Sequence, residues 1–180
     1  MLKLHKASKD GVAEVVQELL AAPGIDVNRA DKAGKTALVH ASMKGHSEVV
    51  SLLLKAPGID VNSGQFGAIV HTPLIAASRH GHSKVVSLLL EAPEIDVNDG
   101  EDYDTTPLLE ATKHGHSEVV SLLLKAPGID VNLADRDGKT ALDWATSNRH
   151  KKVVVALRGA LGIVESPTNK TGKRKRSTTS

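Results

Sequence analysis

Cysteine is absent from this 180-residue chain, and aromatic side chains are nearly so, with one Phe, one Trp and one Tyr. The first absence excludes a disulfide framework, thiol catalysis and the thiolate ligands of most structural zinc sites. The second requires a core filled by aliphatic side chains. No run of 18 apolar residues occurs, and Met1 to Lys6 shows no signal-peptide pattern, so neither membrane insertion nor secretion is expected. There is no phosphate loop, no Gly-x-Ser-x-Gly elbow and no carboxylate pair spaced for a shared pocket, so no catalytic residue and no cofactor is expected.

What the chain does contain is repetition. Gly45-His46-Ser47-Glu48-Val49-Val50-Ser51-Leu52-Leu53-Leu54 recurs from Gly81 with Lys84 in place of Glu, and unchanged from Gly115. Degenerate copies start at Gly11 and Arg149, giving spacings of 34, 36, 34 and 34 residues. A period in this range signifies a solenoid, whose units bury their apolar faces only against neighbours and leave one long surface for partners.

Each unit carries its own start and stop signals. Thr36 precedes Ala37, Leu38, Val39 and Ala41, and its hydroxyl is placed to cap a helix over residues 37–44. Gly45 permits the left-handed backbone that ends that helix. Ser47 is the expected cap of a second helix whose Val49, Val50, Leu52, Leu53 and Leu54 form a wide apolar stripe. Ala56-Pro57-Gly58 stops it, and Ile59-Asp60-Val61-Asn62 leads out. The aspartates of that segment read as caps of their own turns.

Thr72-Pro73-Leu74 and Thr106-Pro107-Leu108, the Gly-His pairs, the Val-Val-x-Leu-Leu-Leu helices and four Asp-Val-Asn endings together resemble the ankyrin repeat. The resemblance implies an all-α solenoid of stacked helix-turn-helix units with projecting hairpin loops. Five units are expected, at 1–28, 29–62, 63–98, 99–132 and 133–164. The family's motif histidine is replaced by Val39, Ile75, Leu109 and Asp143, which puts its hydrogen bond to the threonine in doubt.

The resemblance further implies a non-catalytic adaptor, scaffold or inhibitor that binds a protein or peptide on its concave surface of hairpins and inner helices. Matching by position places Lys32, Lys35, Met43 and Lys44 there in the second unit, and Phe66, Arg79 and His80 in the third. Asp102, Tyr103, Lys113 and His114 follow in the fourth, with Arg136 and Lys139 in the fifth. Two of the three aromatics, Phe66 and Tyr103, fall in neighbouring hairpin tips, as interface anchors do. For Phe66 the competing role is filling a gap beside the next hairpin. Trp144 sits where helices meet the next unit and is expected in the core.

His46, His82, His116 and His150 recur at one position of the repeat. A scaffold hydrogen bond at the helix junction accounts for them better than a metal site, since residues flanking a glycine turn point apart. Gly24, Gly58 and Gly128 follow prolines, but Glu94 stands at the equivalent place in the third unit. If that position requires positive φ, Glu94 is strained.

The closing helix is expected to run on through Leu157, Ala160, Leu161, Ile163 and Val164. Residues 165–180 then hold no strong apolar anchor and are expected to be a disordered tail. The tail carries five basic residues and no acid beyond Glu165, leaving 18 Lys and Arg against 21 Asp and Glu elsewhere when Glu165 is counted with the repeats. The formal net charge of +2 therefore belongs to the tail. Lys173-Arg174-Lys175-Arg176 matches a simple nuclear-import signal, which makes a nuclear regulator with a weak grip on nucleic acid the alternative to a cytoplasmic, monomeric binding module.

Overall fold

The computed structural model describes residues 3–66, 69–70, 72–100 and 105–163, with backbone alone at 65–66 and 69–70. Among the described residues, five helix pairs follow one another. They are α1 (Lys3–Asp10) with α2 (Ala13–Leu20), α3 (Ala37–Lys44) with α4 (Ser47–Leu54), α5 (Pro73–His80) with α6 (Ser83–Leu90), α7 (Pro107–Lys113) with α8 (Ser117–Leu123), and α9 (Ala141–Ser147) with α10 (Lys151–Ala160). Odd-numbered inner helices stack on one another, and even-numbered outer helices do the same.

Local chemistry sets the bounds of the inner helices. The hydroxyls of Thr36, Thr72 and Thr106 accept from the amides of Val39, Ile75 and Leu109 at 3.2 to 3.3 Å. These three side chains, which replace the family's histidine, are buried instead. In α9 the substitution works differently: the Asp143 carboxylate accepts from both the Thr140 amide and hydroxyl, closing a capping box. Gly45 and Gly81 end α3 and α5 in left-handed conformation. The fifth unit has Arg149 there, held at a φ of 59°.

The outer helices start one residue earlier than Ser47 as a cap would imply. Ser47, Ser83 and Ser117 are the first helical residues, and the caps are His46, His82 and His116, none of which makes a side-chain capping bond. The imidazoles are engaged elsewhere, because each reaches back to the preceding unit. Nε2 of His46, His82, His116 and His150 donates to the carbonyls of Lys9, Met43, Arg79 and Lys113 at 3.0 to 3.3 Å.

Helices of seven to ten residues are unstable alone, so stacking must hold them. Small residues on the inner helices, among them Ala37, Ala41, Ala77, Ala111, Ala141 and Ala145, let neighbours approach closely. Val49, Val50, Leu53, Val86, Leu89, Val120 and Leu123 fill the layer between inner and outer rows. Each such leucine contributes about 1.5–3 kcal/mol when fully buried.

The exit loops form a second seam. Each Asp of the Asp-Val-Asn segments accepts from the amide two residues on, as expected. Three of the four Asn, at 28, 62 and 98, bridge to the next unit. Asn62 Nδ2 donates to the Glu94 carbonyl at 2.7 Å while its Oδ1 accepts from the Asp96 amide at 3.0 Å, and Asn28 and Asn98 do the same to 58/60 and 128/130. The residue after proline does sit at positive φ, 72° to 77° at Gly24, Gly58 and Gly128 and 65° at Glu94.

Two expectations need correcting or refining. Helix α10 ends at Ala160, and Gly162 turns the chain at a φ of 68°, leaving Ala160 and Ile163 exposed rather than carrying the helix on; Val164 lies outside the described residues. The apolar tip of the third unit forms a short antiparallel pair, β1 (Gln65–Phe66) with β2 (Ile69–Val70), in which Phe66 is opposite Ile69. Among the described residues, no helix is long and apolar enough to cross a membrane.

Candidate functional site

An aspartate organises the loop entering the second unit and another does so in the fifth. Asp31 Oδ1 accepts from the amides of Ala33 and Lys35, and Asp135 Oδ1 from those of Asp137 and Lys139. The second carboxylate oxygen in each case holds an inner-helix side chain nine residues on. Asp31 Oδ2 pairs with His40 Nε2 at 2.8 Å, and Asp135 Oδ2 accepts from the indole N–H of Trp144 at 2.7 Å. Burial pushes both carboxyls up in pKa, but these hydrogen bonds outweigh it and hold them below the usual range.

The equivalent inner-helix position in the fourth unit is Glu110, whose side chain is only 7% exposed. Three cationic or protonatable groups surround it: Arg79 Nε at 3.5 Å, Lys113 Nζ at 3.7 Å and His114 Nε2 at 3.7 Å. A carboxylate so buried requires such partners. Lys113 also lies 3.9 Å from Asp135 Oδ2 and 5.2 Å from the centroid of the Trp144 ring, over which Lys139 sits at 4.5 Å. Arg79, Glu110, Lys113, Asp135, Trp144 and Lys139 thus form one connected row across three units, each link of it an ion pair, a hydrogen bond or a cation–π contact.

The row is layered by charge. Glu110 and Asp135 form its floor, with side chains 7% and 5% exposed, whereas Arg79 and His114 stand above it at 46% each. Desolvation lowers the pKa of His114; Glu110 opposes that shift and Arg79 adds to it. Burial likewise lowers His82, whose ring stacks on His80 at 6.0 Å, and His5, whose ring meets His40 edge-on.

Of the residues expected to meet a partner, Arg79, Lys113, His114 and Lys139 are drawn together by this row. His80 is exposed beside it on α5, its Nδ1 bonded to the Ala76 carbonyl. Lys32 and Lys44 are exposed, and Lys35 and Met43 half-buried, in the second unit; Lys35 and Met43 enter the contacts above only through their backbones. Arg136 is exposed in the fifth. Asp102, Tyr103, the Phe66 side chain and Lys173 to Arg176 lie outside the described residues.

Trp144 departs from its expected place in the core. It packs partly against the core, but its indole N–H is turned to Asp135 and lysines cover the ring. The sequence reading also passed over Glu110, Asp31, Asp135 and His40. A signal for the aspartates exists: Asp31 and Asp135 share the pattern Asp-x-x-Gly-Lys-Thr, followed at the same distance by His40 and Trp144. Glu110 has no such counterpart.

Among the described residues, no three His, Asp or Glu side chains converge as metal ligands. A groove of about 430 Å³ lies between the ends of α4 and α6, lined by residues such as Leu54, Ile59, Leu88 and Pro93. A similar one recurs between α2 and α4, lined by Leu20, Ile25, Leu52 and Pro57, which marks both as by-products of stacking.

No curated protein matches the chain. A family model described as ankyrin repeats, three copies, matches residues 4–101 and again 74–164. The repeats of that family are generally protein-interaction modules. With the helix pairs, the Thr-capped inner helices and the Gly-His junctions all in place, the chain belongs to the ankyrin-repeat family.

Proposed function

We propose that the chain is a non-catalytic adaptor, scaffold or stoichiometric inhibitor, and that it holds a protein or peptide partner on the surface made by its hairpin tips and inner helices. The observation that carries this reading is the row from Arg79 to Lys139. It sets charged groups and the sole tryptophan at a surface whose supporting backbone is fixed by hydrogen bonds between units. A rigid scaffold of this kind loses little conformational freedom on binding.

Quantitative affinity capture tests it, comparing the unaltered chain with a Phe66→Ala, Tyr103→Ala variant, an Arg79→Gln, Lys139→Gln variant and a chain lacking residues 165–180. Partners lost with either surface variant, while its melting temperature holds, support the reading. Capture that survives both variants contradicts it.

The basic run Lys173 to Arg176 favours a second reading, a nuclear regulator whose tail drives import or touches nucleic acid. Under that reading the tail deletion alone abolishes nuclear accumulation or nucleic-acid affinity, and the surface variants leave both unchanged.

A further inference from the structure

We infer that the row formed by Arg79, Lys113, His114 and Lys139 above Glu110 and Asp135 receives an acidic peptide segment, whose carboxylates meet the exposed side chains of Arg79, His114 and Lys139. This rests on the binding role proposed above and names the chemistry of its partner.

Three observations lead there. First, the charge layering means that an approaching chain meets Arg79 and His114, both 46% exposed, before the buried acids beneath them. Second, the internal ion pairs are loose. Their 3.5 to 3.9 Å separations exceed the roughly 2.7–2.9 Å of a charge-assisted hydrogen bond. Arg79 faces Glu110 through Nε, so the guanidinium fork keeps its other donors for a ligand carboxylate.

Third, the cations come from successive units. Arg79 is the penultimate residue of α5, Lys113 ends α7, and Lys139, two residues before α9, brings its ammonium to the Trp144 ring that Lys113 also approaches. Neighbouring packed helices lie about 8–10 Å apart. A polyproline-type chain advances about 9 Å in three residues, so acids at every third position fall opposite successive units. A nucleic acid fits less well, because its unbroken phosphate charge would also lie over Glu110 and Asp135.

The only tryptophan of the chain stands in this row, so its emission reports the site without labelling. The test uses the full chain and fluorescein-labelled 12-residue peptides with Glu, Gln or Lys at every third position, alongside a dT12 oligonucleotide. Anisotropy gives affinity, and a parallel titration with unlabelled peptide follows Trp144 emission.

The expected result is that the Glu peptide binds at least tenfold more tightly than the Gln peptide and shifts Trp144 emission. Arg79→Gln with Lys139→Gln, which leave the buried acids in place, should weaken it at least tenfold with the helical circular dichroism unchanged. Equal or tighter binding of the Gln or Lys peptide, lost in that variant, overturns the acidic preference while the surface stands as a binding site. dT12 binding as tight as the Glu peptide and equally sensitive to the variant overturns it in favour of nucleic acid. No response of any probe to the variant, the result expected if the basic tail does the binding, overturns both this inference and the surface on which it rests.

Discussion

The imidazole of His82 lies directly on the Cα of Gly45, so close that a Cβ at residue 45 would come within 2.7 Å of the ring Nδ1. The same contact joins Gly11 to His46, Gly81 to His116 and Gly115 to His150. Gly45 therefore has two reasons to be glycine, its φ of 74° and the ring upon it.

These two reasons separate by substitution. Gly58 has a φ of 72° but open space around a built Cβ. Gly58→Ala should cost about 1–2 kcal/mol from backbone conformation alone, and Gly45→Ala about 2 kcal/mol more, within the range for overpacking. Urea unfolding monitored by circular dichroism measures both; equal losses would show that the His82 ring yields without cost.

Glu94 occupies the left-handed position that glycine holds in the sister units, at a φ of 65°. Replacing it should relieve strain, so Glu94→Gly is expected to stabilise the chain by about 1 kcal/mol. Glu94→Ala serves as the control and should gain nothing, because alanine carries the same Cβ penalty. A destabilised Glu94→Gly chain would place the value of Glu94 in its side chain.

Asn62 ties two exit loops together through a donor and an acceptor on one amide. Asn62→Ala removes both bonds and should cost about 1–3 kcal/mol. Asn62→Asp keeps the acceptor for the Asp96 amide and sets a carboxylate oxygen against the Glu94 carbonyl, so it should not recover the loss. The urea midpoints of the two variants decide this, and an Asp variant as stable as the unaltered chain would show that the donor to Glu94 is dispensable.

Acidification below neutrality should destabilise the fold through its histidines. Burial lowers His5, His82 and His114 from the usual 6.5, so in the window just below 6.5 the unfolded chain binds more protons than the folded one. Stability then rises with pH across that window and is lost on going down through it. Asp31, Asp135 and Asp143 are lowered from 3.8, so their contribution persists above that value and disappears only in stronger acid; Asp99, raised by burial, acts in the opposite sense. The urea midpoint should be lower at pH 5.5 than at 7.5. His82→Gln, which retains a donor for the Met43 carbonyl, should flatten the dependence, and a midpoint that rises on acidification would contradict the assignment.

Much of the fold was legible because its instructions are local. Thr36, Thr72, Thr106 and Thr140 cap helices starting at the next residue, and Gly45 and Gly81 end them, as their positions beside apolar runs require. Ser47 misled because serine is the commoner cap and nothing local says that the first helical residue comes next to a histidine already bonded to another unit. For the proposed binding surface, the columns holding Arg79, Lys113, His114 and Lys139 could be read by matching positions between repeats. Glu110 could not, since a lone glutamate amid apolar residues shows its role only when Arg79 of the previous unit is seen beside it.

The sequence by itself determined the repeat, the helix pairs, the aliphatic core and the family, because capping, turn chemistry and apolar periodicity act within a few residues. Only the tertiary structure decided what joins the units: histidine rings on glycines and asparagines across exit loops, in hydrogen bonds between residues 30 to 39 positions apart. It also decided that Trp144 faces Asp135 and two lysines rather than the core alone. Such pairings depend on how one unit is laid upon the next, and a pattern read within a single repeat carries no information about that distance.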